Sequence, residues 1–324
     1  MSTTMRIGIG QFSELTDEMM TFIRQLGVTD FLMNTPKLPG DRQWETGDLL
    51  YLRQRSEAAG LRLMALENVP VKFYDKVMVG APGRDEQIGH MQATIRNMGK
   101  AGIPILGYHW MPNSVWRTRE PAVLRGGARG TRFNQAEHDP NELTHGRVYT
   151  AEEMWDSYVY YLERILPVAE EAGVTLALHP DDPPVATLGG VARIFHGFDG
   201  FKRAMDHFDS PNHGLDFCIG CWSEMGGMAT VEQGIRHFGG RNKIVYIHFR
   251  DVQGTVPCFN ECFLGDGNLD PFAVMKLLKE VGFGGFIIDD HVPHMIDDTR
   301  WGHRGRAHAT GYLTALIDVV NKLN

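Results

Sequence analysis

Short apolar runs alternate along the chain with longer segments in which apolar residues recur at helical spacing. Helical periodicity is clearest in segments 16–26, 48–59, 85–100, 151–172 and 270–281. The apolar runs have the length and flanking residues of buried strands and cover 6–12, 30–34, 61–68, 103–112, 175–184, 213–221, 244–252 and 283–293. Eight strands with intervening helices in 324 residues predict a (β/α)8 TIM barrel in a single domain, residues 1–324.

Glycines support this strand and helix count. Several predicted helices are followed directly by a glycine, the residue that most readily adopts the left-handed conformation at a helix end: Gly27, Gly60, Gly102, Gly173 and Gly282. The main competing fold is a doubly wound sheet, which would carry a Gly-x-Gly-x-x-Gly turn after its first strand. The chain has Gly8 and Gly10 there but lacks the third glycine. The barrel is therefore favoured.

The longest stretch without strand or helix periodicity covers residues 112–150 and is rich in Gly, Arg and Asn. It follows the fourth predicted strand. Long irregular loops in compact domains are usually lids or binding loops, and a disordered insert is the alternative. We expect this loop to cover the mouth of the barrel.

Composition narrows the class of protein. Hydrophobic residues make up 43% of the chain and charged residues 22%, as in globular proteins with a sizeable core. The net charge of −8, without blocks of like charge, argues against a nucleic-acid partner. No apolar stretch is long enough to span a membrane, and the amino terminus has no signal-peptide pattern. We therefore expect a cytoplasmic protein.

Polar side chains follow the last four predicted strands where these reach the rim of the barrel. His179, Cys218, His248 and an aspartate of the Asp289–Asp290 pair come from consecutive strands. Imidazole, thiolate and carboxylate together are ligands of divalent transition metals. Because active sites of such barrels lie at the carboxyl ends of the strands, this pattern predicts a metal site.

Two other interpretations of these residues are possible. All four cysteines fall in one part of the chain and could form a zinc site or contain a redox pair: Cys218, Cys221, Cys258 and Cys262. We favour simple packing for the last three. His291 directly follows the aspartates, so it could exchange protons with a substrate at the metal. The alternative is that His291 is a surface residue in a histidine-rich tail.

The motifs around these residues resemble the metal-dependent mannonate dehydratases. The resemblance rests on His-Pro-Asp-Asp-Pro-Pro at 179–184, Phe-Cys-Ile-Gly at 217–220, His-Phe-Arg-Asp at 248–251 and Gly-Asp-Gly-Asn-Leu-Asp at 265–270, with Met-Pro at 111–112 and Trp-Arg-Thr-Arg at 116–119. It spans nearly the whole chain in the same order. It implies a xylose-isomerase-like barrel and a hydro-lyase that forms a 2-keto-3-deoxy sugar acid from a sugar acid such as mannonate.

The resemblance also implies roles for individual residues. The metal ligands would be His179, Cys218, His248 and Asp290, binding one divalent ion, typically Mn²⁺, with Fe²⁺, Co²⁺ or Zn²⁺ as alternatives. His291 would be the acid/base residue. Two arginines, Arg117 and Arg250, would bind the substrate, because a guanidinium group matches a carboxylate. Trp116, Asp181 and Trp301 would be further substrate-binding residues.

The chain departs from the family pattern at two places. Trp301 stands where the family commonly has a tyrosine that takes part in proton transfer, and tryptophan cannot relay a proton. The family's Tyr-Asn-Phe-Met-Pro motif is replaced by Tyr-His-Trp-Met-Pro at 108–112. We therefore expect His291 to be decisive, His109 or His303 to fill the tyrosine's role, and mannonate itself to be a poor substrate.

Three functions agree with these patterns. The first is dehydration of a sugar acid, and we expect a homo-oligomer with a small sugar acid as its partner. The second is an isomerase, epimerase or eliminating lyase that acts on a sugar acid or glycoside with the same metal site. The third is a non-catalytic sugar-acid binding protein, but the oxidisable metal thiolate argues against it.

Overall fold

Eight parallel strands close into a barrel in the computed structural model, which describes residues 4–323. Each strand pairs with its neighbours along the chain, and β1 pairs with β8. The strands are β1 (Arg6–Ile9), β2 (Asp30–Asn34), β3 (Arg62–Glu67), β4 (Ile105–Tyr108), β5 (Thr175–Leu178), β6 (His213–Cys218), β7 (Ile244–His248) and β8 (Phe286–Ile288). Each predicted apolar run contains one of them, and the predicted TIM barrel is confirmed.

A ring of helices surrounds the barrel. Its main members are α1 (Asp17–Gln25), α2 (Thr46–Ala58), α3 (Arg84–Ala101), α4 (Ala151–Ala172), α5 (Phe198–His207), α6 (Ile219–Gly226), α7 (Pro271–Glu280) and α8 (His303–Lys322). Shorter helices lie at Asp75–Met78 and Met228–Gly234, and the latter continues into a π-helical turn at Ile235–Gly239. No helix within residues 4–323 has the length and apolar character needed to cross a membrane.

The boundaries of α4 illustrate how local sequence defines these helices. The side chain of Thr150 accepts a hydrogen bond from the backbone N–H of Glu153, and the Glu153 carboxylate accepts one from the backbone N–H of Thr150. This reciprocal cap satisfies two N–H groups that the first turn would otherwise leave unpaired. At the other end Gly173 has a φ of 67°. The predicted span 151–172 agrees with the observed helix.

Buried side chains pack in the interior of the barrel. Tyr246 lies among them, and a methyl group on Gly107 would overlap the Tyr246 hydroxyl, so glycine at this position makes room for the ring. The Tyr246 hydroxyl donates a hydrogen bond to Oδ2 of Asp216 over 3.0 Å. The apolar interior consists of Leu32, Ala65, Ile105, Ala177, Tyr246, Phe286 and Ile288.

The loop 112–150 contains secondary structure of its own. Its strand Arg132–Asn134 pairs with Cys258–Cys262, which in turn pairs with Asp251–Thr255 in a three-stranded antiparallel sheet. Phe133 and Phe259 pack together beneath this sheet. We call the sheet and its loops the cap. Since its strands follow β4 and β7, the cap lies at the carboxyl ends of the barrel strands.

A second contact joins the cap to the segment after β8. The backbone N–H of Arg129 donates to the carbonyl of His294, and the N–H of His294 donates to the carbonyl of Arg129. The loop 112–150 is thus held on both sides, by the loop after β7 and by the chain after β8.

Candidate active site

The four side chains predicted as metal ligands meet at the carboxyl ends of β5 to β8. His179 follows the last residue of β5, Cys218 ends β6 and His248 ends β7. One ligand atom from each lies within 4.8 Å of the others. Asp290, two residues beyond β8, places Oδ2 3.6 Å from the Cys218 sulfur and Oδ1 3.7 Å from Nδ1 of His248. We call these four residues the ligand cluster.

Hydrogen bonds orient both imidazole rings toward the centre of the cluster. Nε2 of His248 lies 2.7 Å from Oε2 of Glu67, and Nδ1 of His179 lies 2.7 Å from the carbonyl of Pro180. Each of these nitrogens donates to oxygen, which leaves the other ring nitrogen with a lone pair. In the part of the chain that the structure describes, Nδ1 of His248 is buried and has no hydrogen-bond partner. An unpaired buried nitrogen beside a thiol and a carboxylate fits a divalent cation.

The pKa values of the cluster reflect the charges that surround it. Burial raises the pKa of the Cys218 thiol, but the Cys221 thiol and the Arg250 guanidinium outweigh it, and the pKa lies well below the usual range. A lowered pKa favours the thiolate, the form that binds metals. Burial lowers the pKa of His248, but the carboxylates of Asp216 and Glu67 raise it well above its usual value. The negative charge around His248 would equally attract a metal cation.

Residues at or just beyond the carboxyl ends of the first three strands hold His248 in place through Glu67, and they were not predicted from the sequence. Oε1 of Glu67 accepts hydrogen bonds from Nε2 of Gln11 at 3.0 Å and from Nδ2 of Asn34 at 3.2 Å. Glu67 and Asn34 are the last residues of β3 and β2. The strand-end rule that selected the ligands could have found them, had it been applied to the first half of the barrel as well.

Arg250 is enclosed by protein carboxylates. Its Nε lies 2.8 Å from Oδ2 of Asp290, its Nη1 lies 2.6 Å from Oε1 of Glu224, and its Nη2 lies 3.3 Å from Oδ2 of Asp182. The side chain is 1% exposed. A buried guanidinium requires such partners, because an unpaired buried charge is costly. Arg250 therefore binds a ligand-cluster carboxylate, Asp290, and leaves no free donor pair for a substrate.

Arg117 is also paired with protein carboxylates. Nη1 and Nη2 form a two-pronged contact with Asp182, at 2.5 Å and 2.7 Å, and Nη2 also lies 2.6 Å from Oε1 of Glu261. The ion pairs join the cap to the end of β5. In this structure Arg117 contacts two protein carboxylates, whereas the sequence predicted a contact with a substrate carboxylate.

A cavity of about 460 Å³ lies between the cap and the segment after β8. His291 lines it and is 36% exposed. Nδ1 of His291 lies 2.8 Å from Oε1 of Glu261, and Nε2 lies 3.7 Å from Oδ1 of Asp290. Other lining residues are Gln11, Pro121, Arg129, Gly130, Thr131, Glu261, Val292, His294, Arg300, Trp301 and Arg306. His291 thus connects this cavity to the ligand cluster.

The charges around His291 favour the protonated form of its ring. Burial lowers the pKa of the ring, but Asp290 and Glu261 outweigh it and raise the pKa to about 9.

A larger cavity of about 710 Å³ lies at the outer edge of the cap, but it is lined by none of the predicted site residues. The smaller cavity is therefore the candidate substrate pocket.

Trp301 lines the candidate substrate pocket. Its Nε1 donates a hydrogen bond to the carbonyl of Gln11 over 2.8 Å, and the Arg306 guanidinium lies 4.6 Å from its ring centre. The indole is therefore held in one orientation at the pocket wall.

Four other predicted site residues do not line this pocket: Trp116, Asp181, His109 and His303. Trp116 packs within the cap, 5.6 Å from the ring of Phe133. Asp181 is buried, and its Oδ2 accepts a hydrogen bond from the backbone N–H of Phe195 at 2.6 Å. Trp116 thus contacts the cap, and Asp181 contacts the segment that follows β5.

The two histidines proposed in place of the family tyrosine, His109 and His303, contact other parts of the protein. Nδ1 of His109 accepts a hydrogen bond from the backbone N–H of Met111 at 3.2 Å, and burial lowers its pKa to about 3. His303 is the first residue of α8 and packs 4.7 Å from the ring of Phe22. Neither residue lines the candidate substrate pocket, and their proton-transfer roles remain predictions from the sequence.

Comparison with known proteins identifies relatives along the whole chain. The family model of D-mannonate dehydratase (UxuA) matches residues 5–149 and 141–324. Mannonate dehydratase 2 of Halalkalibacterium halodurans is 31% identical in an alignment of 290 residues that covers 81% of this chain and 81% of that protein.

Solved structures agree with these relatives. The crystal structure of mannonate dehydratase from Streptococcus suis serotype 2 has a TM-score of 0.88 and 27% identity, covering 98% of this chain and 94% of that chain. A xylose isomerase domain protein of Planctomyces limnophilus has a TM-score of 0.64 and 15% identity over 99% of both chains, a likeness of fold alone. Fold, motif order and family match agree, and the chain belongs to the D-mannonate dehydratase family.

Proposed function

We propose that this protein is a metal-dependent hydro-lyase that removes water from a sugar acid and forms a 2-keto-3-deoxy sugar acid. The observation that carries the proposal is the position of His291, which faces the candidate substrate pocket and lies beside Asp290 of the ligand cluster. A proton donor that lines the pocket thereby lies next to a residue of the proposed cation site. Family membership supports the reaction class.

His179, Cys218, His248 and Asp290 would hold the metal. Mixed nitrogen, sulfur and oxygen ligands favour Mn²⁺, Fe²⁺, Co²⁺ or Zn²⁺ over Mg²⁺, and we propose Mn²⁺, which the family resemblance implies. When bound, the ion would supply Lewis-acid chemistry at a substrate oxygen and stabilise negative charge that develops on the substrate.

His291 supplies the proton for the departing hydroxide in this proposal. Its Nδ1–H is bound by Glu261, which fixes the ring plane and leaves Nε2 on the side of Asp290. Protonation of the leaving group by a positioned imidazolium is a common form of general acid catalysis. Glu261 is held in turn by Arg117, so this arginine is a positioning residue.

Arg250 has a comparable positioning role on the metal side. It binds Asp290 through Nε and Glu224 through Nη1, so one carboxylate oxygen of Asp290 is directed by a buried cation. Trp301 forms an immobile wall of the pocket against which a sugar could pack. These assignments leave Arg117 and Arg250 outside direct substrate contact.

The test is product analysis with Mn²⁺-loaded protein and a panel of aldonates and uronates. We expect a 2-keto-3-deoxy acid, detected by mass spectrometry as the loss of one water from the substrate. A product of unchanged mass would instead support the isomerase or epimerase alternative. Binding of a sugar acid without any product would support the non-catalytic alternative. Chelated protein is the control for metal dependence.

A further inference from the structure

Two arginines of the candidate substrate pocket have no carboxylate partner. Within residues 4–323, the side chains of Arg129 and Arg300 form no hydrogen bond or ion pair, and both are exposed. The third arginine of the lining is engaged, because Nη1 of Arg306 binds Oδ2 of Asp289 at 2.9 Å. The pocket therefore has two unpaired cationic side chains.

The acidic group of the pocket lining cannot neutralise them. Among the described residues that line the pocket, Glu261 is the only acid. Its carboxylate already binds Arg117, with Nη2 at 2.6 Å, and His291, with Nδ1 at 2.8 Å. The wall formed by Arg129 and Arg300 is thus left with net positive charge, and an anion from solution can bind there.

The backbone on both sides of this wall is held in place. Arg129 exchanges two backbone hydrogen bonds with His294. Arg300 directly precedes Trp301, whose indole is tied to Gln11. Long side chains on a fixed backbone can close on a ligand, and a guanidinium group matches a carboxylate in geometry and charge.

We propose that Arg129 and Arg300 form an anion subsite that binds the carboxylate of the sugar acid. The proposal rests on the proposed function and names the residues that select an acidic over a neutral sugar. It assigns to this pair the contact that the sequence suggested for Arg117 and Arg250, both of which are paired with protein carboxylates. A sugar acid bound at the subsite extends toward His291, which lines the same pocket.

The test compares Arg129→Gln, Arg300→Gln and the double variant with wild type, all loaded with Mn²⁺. Arg125→Gln is the matched control, because Arg125 lies in the same loop, is 52% exposed and pairs with Asp266 outside the pocket. Calorimetry gives Kd for D-mannonate, D-gluconate and the neutral D-mannitol. Turnover of the substrate from the aldonate panel gives KM and kcat.

We expect each single substitution to raise Kd and KM for the sugar acid about tenfold, and the double substitution to raise them more, as for loss of a charged hydrogen bond. kcat, mannitol binding and the Arg125→Gln variant should stay close to wild type. Added salt should weaken binding to wild type more than to the double variant, because salt screens exposed charges.

Other outcomes separate the subsite from the proposed reaction. Unchanged Kd and KM in the double variant would overturn the subsite while the dehydration stands. Sugar-acid binding that is lost in the double variant but yields no dehydrated product in wild type would retain the subsite and overturn the dehydration. If wild type binds none of the sugar acids, both proposals are wrong.

Discussion

Nε2 of His248 donates a hydrogen bond to Oε2 of Glu67 over 2.7 Å, although the two residues are 181 positions apart in the chain. The bond places the proton on Nε2 and leaves Nδ1 for the ligand cluster. Glu67 is itself held by Gln11 and Asn34, so the orientation of one proposed metal ligand depends on strands from the opposite half of the barrel.

Replacing Glu67 by Gln should weaken metal binding about 10- to 100-fold, because the amide keeps the volume of the side chain but removes the charge that orients His248. The measurement is a Mn²⁺ titration against a competing chelator. Glu57→Gln is the control, because Glu57 is 51% exposed and pairs only with Arg53 on the surface of α2. Equal Mn²⁺ affinity in Glu67→Gln and wild type would contradict this role.

Cys218→Ser should lower the amount of bound Mn²⁺ from one ion per chain and remove the stabilisation that the metal confers. A ligand that binds only the folded state raises Tm, so wild type should show a higher Tm with Mn²⁺ than after chelation. Cys258→Ser should keep both properties, since Cys258 is exposed and lies in the cap. Elemental analysis measures the metal content of the two variants, and thermal unfolding measures their Tm with and without Mn²⁺. Full metal content in Cys218→Ser would exclude the thiolate as a ligand.

Arg117→Ala should lower the free energy of unfolding by about 3 to 5 kcal/mol, because it leaves the buried carboxylates of Asp182 and Glu261 without their partner. Arg147→Ala removes the exposed pair with Glu153 and should cost less than about 1 kcal/mol. Urea unfolding measures both values. Similar stability of the two variants would show that the Arg117 pairs contribute no more than surface ion pairs do.

His291→Asn should reduce turnover by about 10²- to 10⁴-fold while Mn²⁺ affinity stays unchanged, since asparagine cannot act as a general acid. The neighbouring His294→Asn variant is the control, because His294 lines the same pocket but has no contact with Glu261 or Asp290 among the described residues. The experiment compares kcat of the two variants. Undiminished turnover in His291→Asn would remove this residue from the proposed mechanism.

Mannonate should be a poor substrate of the wild type, and Trp301→Tyr should raise its turnover at least about tenfold, if a hydroxyl at this position takes part in proton transfer. The indole N–H of Trp301 is a donor only and is already bound to the carbonyl of Gln11. Trp301→Phe is the matched variant without the hydroxyl. Brisk mannonate dehydration by wild type, or equal rates in the two variants, would contradict this expectation.

The order of strands and helices was readable from the sequence because each element carries its own signal. Apolar runs marked all eight barrel strands, and the predicted span of α4 matches the observed helix. The meeting of His179, Cys218 and His248 was also predictable, since residues that end adjacent parallel strands share one rim. These features depend on local periodicity and on one rule of barrel geometry.

The partners of the charged residues were decided only by the tertiary structure. Arg117 and Arg250 suit a substrate carboxylate as well as a protein carboxylate, and sequence cannot tell which one lies nearby. The fold places Asp182 between them, with Oδ1 at 2.5 Å from Arg117 and Oδ2 at 3.3 Å from Arg250. Because a buried charge must be compensated within the protein, this close packing determines which arginines are neutralised and which remain free at the pocket.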